Sequence, residues 1–270
     1  MSESSDCGVM LSVNSSQPVF AFEDAYIRTD KSDESITNQV GWHWSVDSGD
    51  RLAVLTSNSF LRYQLIAVLA GLVPAVAGRQ IRQGVIGWPL GGEGGLDGRL
   101  KIGQNVDFVC RLYEDCLQSD HFGLDAFWTL LAEEGIETGG YLRDLSSSQK
   151  RVFFTALSLL FHFDLHLVPR TRFLMSKAGT SLRQLFLKQS EGAALLTTST
   201  NARFLRQFCD LGLVLSPSGE PLFFGGLEEA LARFDQSSSQ DDSDDSDDSL
   251  FQGLNLQNSD REANDQEDIL

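Results

Sequence analysis

The sequence predicts an α/β core that carries an antiparallel β lobe and an all-helical lobe. Three observations lead there: a β-rich start, a strand–polar turn–helix unit after it, and two runs of helical periodicity placed before an alternating αβαβ close. PVFAFEDAYI (18–27) alternates apolar and polar residues as a half-buried strand does. VGWHWSVDSGDRLAVLT reads as two strands around the turn Asp47–Asp50. A helix is expected over Phe60–Leu72. RQGVIGWPLGGEGGLDGRLKIGQNV is too rich in glycine for a helix and reads as loops between short strands. From Val106 to about Glu134 apolar residues recur twice at helical spacing, and a further helix is expected from Ser148 through QKRVFFTALSLLFHF. DLHLV and AALLTTS read as buried strands, SLRQLFLKQ and NARFLRQFCD as helices, LGLVLSPSGEPLFFG as a hairpin and LEEALARF as a closing helix.

Composition narrows the class. The chain has 270 residues, 41% of them hydrophobic and 10% aromatic, enough for one or two packed domains. No apolar run reaches the roughly 18 residues that span a bilayer. The start MSESSDCGVMLSVNSSQP lacks the basic beginning and continuous apolar core of a secretion signal. Cys7, Cys110, Cys116 and Cys209 have no metal-type spacing, so they are expected reduced, and no metal site is expected. The net charge is −17. From Asp235 onward twelve acidic residues face one basic one, a net of −11, which leaves −6 for residues 1–234. Residues 1–18 and 235–270 are expected to be disordered termini around a folded domain at 19–234, whose helical lobe covers about 106–148. The acidic tail is either a solubilising segment or a bait, because Leu250, Phe251 and Leu254 sit at helical spacing inside acid. So acidic a chain is a poor nucleic-acid binder.

The chemistry centres on LTSNSFLRYQLIAVLAGLVPAVAG (55–78). It has the outline of a phosphate-binding loop, yet no glycine lies between Leu55 and Gly71. Three further segments give the outline a context. IGWPLGGEGGLDGRLKIGQNVDFVCRLY (86–113) is similar to a segment that ATP-binding-cassette (ABC) subunits of capsular-polysaccharide and O-antigen exporters place between the Walker A helix and the helical lobe. YLRDLSSSQKRVFFTALSLLFHFDLHLV (141–168) resembles their signature motif, its helix and the Walker B strand. ALLTTSTNARFLRQFCDLGLVLSPSGEPLFFGGLEEALARF (194–234) resembles the strand and helix after the switch histidine and the final hairpin. The resemblance covers Phe20 to Phe234. It implies a P-loop NTPase-like ABC nucleotide-binding domain, with ATP and Mg²⁺ as ligands. It also implies a permease partner at the cytoplasmic face of the inner membrane and face-to-face pairing, either with a second copy or with an active ATPase subunit.

Laid on the family's motifs, the residues are the wrong ones for that chemistry. A Walker A loop needs glycines so that backbone N–H groups curl round the phosphates, a lysine as cation and a hydroxyl for Mg²⁺. Here the positions hold Ser57, Asn58, Phe60, Leu61, Arg62, Tyr63 and Gln64, with Arg62 for the lysine and Tyr63 for the hydroxyl. Phe60 and Leu61 would crowd the phosphates, and a guanidinium is not a compact ammonium. The Walker B carboxylates, Mg²⁺ partner and base, are replaced by Pro169 and Arg170. Thr200 stands at the switch histidine, Ser176 near the D-loop aspartate and Thr29 near the adenine-stacking aromatic, with Tyr26 close by as the other candidate. His162 and His166 flank the Walker B strand and read as core or interface residues. The signature is softened to Leu145-Ser146-Ser147-Ser148-Gln149, which is either a surviving phosphate contact or an ordinary helix cap. Trp88 and Pro89 are either a rigid anchor for the permease or part of the core. The expectation is a degenerate subunit without catalytic residues of its own, ATP and Mg²⁺ being implied by the family but poorly served here. The alternatives are a slow but genuine ATPase and a protein-binding scaffold.

Overall fold

The computed structural model describes residues 18–32, 37–93, 95–117 and 122–237. The two expected disordered termini lie outside them, except for Pro18 and the last turn of the closing helix. The chain opens with β1 (Phe20–Tyr26) and β2 (Trp42–Val46), which join β4 (Ala77–Arg82) in an antiparallel sheet of order β2-β1-β4. One face of this β lobe is aromatic. Phe22 packs edge-on against Phe20, Trp42 and Trp44 at centroid distances of 4.7, 5.5 and 4.9 Å, a geometry the ring quadrupoles favour. At Asp24, whose φ is +50°, β1 bulges between its two partners. Gly78 (φ +81°) faces that bulge so closely that a Cβ would strike the Asp24 carbonyl.

β3 (Arg51–Leu55) does not return to β2. The turn Asp47–Asp50 sends the two strands into different sheets, and β3 becomes the centre of a five-stranded sheet of order β5-β6-β3-β7-β8. β5 (Leu165–Leu167), β6 (Ala194–Thr197), β3 and β7 (Leu211–Leu215) are parallel; β8 (Pro221–Gly226) closes one side antiparallel to β7. RLAVL is a continuous apolar run buried from Leu52 to Leu55, as a strand covered on both faces requires. WHWSV alternates, as a strand of a one-sided sheet does.

The helices are α1 (Ser59–Leu69), α2 (Ile102–Leu112), α3 (Leu124–Glu133), α4 (Ser147–Ser158), α5 (Arg172–Met175), α6 (Thr180–Gln189), α7 (Ala202–Phe208) and α8 (Leu227–Ser237). Several bounds differ from the sequence reading. α1 ends at Leu69 rather than Leu72, because Gly71 adopts φ +78°. α2 starts four residues before Val106, with Gly103 inside it; a Cβ there would press on Thr138. α8 runs three residues beyond Phe234. Asn38 braces the β lobe internally, and Trp42 ties that lobe to the turn after β7. Asn38 Nδ2 donates to the Ala25 and Val40 carbonyls, its Oδ1 accepts from Ile27 N–H at 2.6 Å, and Trp42 Nε1 donates to the Gly219 carbonyl at 2.6 Å. Among the described residues no helix is long and apolar enough to cross a membrane.

Truncation after Ser237 is expected to shift Tm by less than about 4 °C, roughly the effect of 1 kcal/mol on a domain of this size. Differential scanning calorimetry checks this, and a larger fall would show that the acidic segment contributes to the core.

Candidate functional site

Four parallel strands end at one edge of the core sheet, and the loops after them gather the residues singled out above. Because β3 is the first of these strands and is flanked by β6 and β7, the chain reverses its direction of growth there. In open α/β sheets such an edge is where ligands bind. Thr56 to Asn58 follow β3, Val168 to Thr171 follow β5, Thr198 to Asn201 follow β6, and Ser216 to Gly219 follow β7.

The loop after β3 is short because α1 begins early. Its N-cap is Asn58, whose Oδ1 accepts from Leu61 N–H at 3.0 Å, while the Asn58 carbonyl accepts from Arg62 N–H at 3.1 Å. Ser59, Phe60 and Leu61 therefore form a helical first turn where a phosphate loop would keep curved backbone. Asn58 Nδ2 donates to the Thr29 carbonyl at 2.8 Å and the Pro217 carbonyl at 2.7 Å, binding the β lobe and the β7–β8 turn to α1. Thr56 Oγ1 donates to the Ser216 carbonyl and accepts from Asn58 N–H, both at 3.3 Å. The Thr29 carbonyl thus lies beside the start of α1. The Phe60 ring sits 6.4 Å from the Tyr63 ring and 5.7 Å from the Arg28 guanidinium. Burial pushes the Tyr63 phenol up. Ser57 is exposed and Gln64 buried.

After β5, Pro169 has no N–H to offer and Arg170 is exposed. Behind them a hydroxyl network closes the strand ends. Thr171 Oγ1 and Ser199 Oγ share a hydrogen bond at 2.9 Å, Thr197 Oγ1 donates to the Val168 carbonyl at 2.6 Å, and Ser199 Oγ accepts from Asn201 N–H at 3.2 Å. Thr200 sits within this network's loop, and Asn201 caps α7 through Phe204 N–H at 3.1 Å. Sequence reasoning passed over Thr56, Thr171, Thr197 and Ser199; the available signal was hydroxyl residues recurring directly after apolar strand runs. Ser176 accepts from Gly179 N–H at 3.1 Å and so shapes the turn between α5 and α6.

The remaining candidates lie away from this edge or inside the core. Ser146 caps α4: its Oγ accepts from Gln149 N–H at 3.2 Å, and Gln149 Oε1 accepts from Ser146 N–H at 3.1 Å. Gln149 Nε2 also donates to the Glu134 and Gly135 carbonyls at 3.2 and 3.3 Å, so this side chain fastens α4 to the end of α3. Leu145 packs on the core, while Ser147 and Ser148 are exposed. Ser146→Ala is expected to cost about 1 kcal/mol, read as a lower urea midpoint at unchanged slope. Trp88 stacks among Tyr113, Phe161 and Phe163 at 5.2, 5.6 and 5.3 Å, with Pro89 half-buried after it. His166 is buried between Phe163 and Phe186, at 6.0 and 5.7 Å, and burial, with His162 and Arg51 nearby, lowers its pKa to about 4. His162 is exposed. No cluster of His, Cys, Asp or Glu able to hold a metal occurs among the described residues.

This fold is that of an ABC transporter's ATP-binding subunit. A chain of an inward-facing metal-chelate-type ABC transporter superposes with TM-score 0.58 at 15% identity, covering 80% of this chain and 90% of that one. An ABC transporter ATP-binding subunit gives 0.58 and 15%, covering 87% and 99%. No family model matches the chain.

The chain is homologous to the ATP-binding proteins of capsular polysaccharide export. It is 28% identical over 191 residues to the polysialic acid transport ATP-binding protein KpsT of Escherichia coli, covering 69% of this chain and 84% of KpsT. It is 29% identical over 197 residues to the capsule polysaccharide export ATP-binding protein CtrD of Neisseria meningitidis serogroup B, covering 69% and 85%. The ATP-binding protein BexA of Haemophilus influenzae is 27% identical over 183 residues, covering 64% and 78%.

Such subunits imply ATP and Mg²⁺. The residues at this edge do not fit them. The backbone that would curl round phosphates is the first turn of α1, with Leu61 N–H bound by Asn58 and the Phe60 side chain on the turn. Pro169 and Arg170, where the resemblance places the Mg²⁺ partner and base, are an imino acid and a guanidinium, and neither side chain binds a cation.

Proposed function

We propose that this chain is a non-catalytic ABC subunit of a capsule-polysaccharide exporter, the regulatory partner of an active ATP-binding subunit and a membrane permease at the inner face of the membrane. The observation that carries the reading is the early start of α1. With Asn58 as its cap, the turn that would hold β- and γ-phosphates is closed by the chain's own hydrogen bonds. The loss at Pro169 and Arg170 is independent of it and lies on the same edge. Degeneracy at one motif leaves a weakened site; degeneracy at two that must act together on one phosphate leaves none.

Calorimetric titration of the purified full chain is expected to give no Mg-ATP binding tighter than about 1 mM, roughly −4 kcal/mol, and no phosphate release. Micromolar binding, or turnover abolished by Arg62→Ala, would overturn the reading in favour of a slow ATPase. In the exporter, Trp88 acts as the root of a permease-facing loop that continues through Pro89. If Trp88→Ala stays folded and still co-purifies with the permease, that role is excluded. The exposed Ser147 and Ser148 are the positions left to meet a partner's nucleotide. ATPase activity of a mixed assembly that is unmoved by Ser148→Glu would confine residues 145–149 to capping.

A further inference from the structure

A second concave site is built where α3 ends. Gly135 takes φ +68° and Ile136 N–H donates to the Leu131 carbonyl at 2.8 Å, which stops the helix and folds the chain back along it. Trp128 and Ala132, one turn apart on α3, then line a cleft of about 440 Å³ together with Gly135, Ile136, Glu137 and Thr138. Thr138 is anchored to α2, its carbonyl accepting from Gly103 N–H at 3.0 Å. Trp128 is half-buried, edge-on to Phe127 at 5.0 Å, and its indole forms part of the wall.

The charge around this cleft has one sign. Residues 124–142 contain Asp125, Glu133, Glu134 and Glu137 and no lysine or arginine. Glu133 ends α3 and Glu134 caps it, at the negative end of the helix dipole, where a base is the stabilising residue. Both stand between the lining residues Ala132 and Gly135, and both are exposed, as is Glu137. None of the three takes part in an ion pair among the described residues, although Lys101 precedes α2 and Lys150 lies on α4. Gln149 Nε2 does reach this end of α3, but it is neutral and donates to the Glu134 and Gly135 carbonyls. The folded chain thus holds three carboxylates beside an aromatic wall with no cation of its own to offset them.

We propose that this cleft is a docking site for an arginine on a basic segment of a partner protein, its guanidinium laid on the Trp128 indole and paired with Glu137. Indole is the best aromatic partner for a cation. A planar guanidinium both stacks on it and meets a carboxylate through two N–H groups, which an ammonium does not. Glu133 and Glu134 beside the cleft favour a segment that carries further positive charge over a single small cation. The cleft is formed by α3 and the turn after it rather than by the loops after the core strands, so it serves a catalytic or a non-catalytic subunit alike.

Titration of the full chain, ¹⁵N-labelled at its tryptophan indoles, with the end-capped peptide GRGGRG tests it. The Trp128 indole, assigned through its contact with the Phe127 ring, is expected to shift with a Kd of about 1 mM or tighter. The indoles of the buried Trp42 and Trp44 are expected to stay in place. The peptide GKGGKG is expected to bind at least about five-fold more weakly, and spermidine, which has no planar cation, to leave the Trp128 indole unmoved. Glu137→Gln is expected to weaken GRGGRG binding by about five-fold or more. Its urea midpoint is expected to equal or exceed that of the wild type, because the change removes a like charge from beside Glu133 and Glu134. Binding lost without stability lost separates docking from a structural role. An unmoved Trp128 indole at about 10 mM peptide, equal affinity for GKGGKG or spermidine, wild-type binding by Glu137→Gln, or a lower midpoint in that variant would each overturn the proposal.

Discussion

Asn58→Ala is expected to destabilise the fold by about 2–3 kcal/mol, although this position follows β3 in a loop and lies near the surface. The asparagine does three things at once: it accepts from Leu61 N–H at the start of α1, and donates to the Thr29 and Pro217 carbonyls. Alanine removes a cap, which costs about 1 kcal/mol, and leaves two carbonyls without their donor, each about 1 kcal/mol where water does not replace it. Asn58→Asp separates these contributions. The carboxylate still caps the helix and meets its dipole favourably, but it cannot donate, and it sets a negative charge against two carbonyl oxygens. Urea unfolding is expected to rank the proteins wild type, then Asn58→Asp, with Asn58→Ala at or below it. If Asn58→Ala unfolds at the wild-type midpoint, the side chain is not the clasp between the β lobe and the core, and the early start of α1 needs another cause. The result also bears on function, since a residue spent on holding two lobes to a helix is not available to hold a phosphate.

Much of the fold was legible in the sequence because its elements are punctuated locally. Asn201, the Ser146–Gln149 box and the apolar runs LHLV, ALLT and LGLVL announce their helices and strands. β4 was not legible. AGRQIR is polar and largely exposed, an edge strand paired only to β1, so it has neither alternation nor apolar content to find. α5 spans only Arg172–Met175, shorter than one period of any pattern test. The parting of β2 and β3 into different sheets was readable only from their burial patterns, alternating in WHWSV and continuous in RLAVL, since the turn between them looks like a hairpin's.

The site was legible by subtraction. The sequence shows which glycines and carboxylates are missing, but not what the chain does in their place. That Asn58 would also donate to the Thr29 carbonyl, or that Thr171 and Ser199 would share a hydrogen bond behind Arg170, depends on contacts between residues 28 or more apart in sequence. Trp88 shows the same limit from the other side: its aromatic partners Tyr113, Phe161 and Phe163 come from three separate stretches that no local pattern links.

The largest pH effect is expected at His166, on β5 (Leu165–Leu167). The imidazole lies between Phe163 and Phe186, Nε2 makes no hydrogen bond among the described residues, and burial, then His162 and Arg51, lower its pKa from 6.5 to about 4. Between those two values the unfolded chain holds a proton on this ring that the folded chain does not. Stability is therefore steady above about pH 6.5 and falls as pH drops toward 4, by up to about 3 kcal/mol from this group alone. His166→Leu removes the titration and also a polar nitrogen without a partner, so at pH 7 the variant is expected to be as stable as the wild type or more so. Carboxylates elsewhere titrate in both proteins and cancel in the difference. Urea midpoints at pH 7, 6 and 5 are expected to diverge, the variant gaining about 2 kcal/mol on the wild type over that range. Curves that run parallel would mean that His166 keeps an ordinary pKa, and that the strand end is open to water rather than sealed under α6.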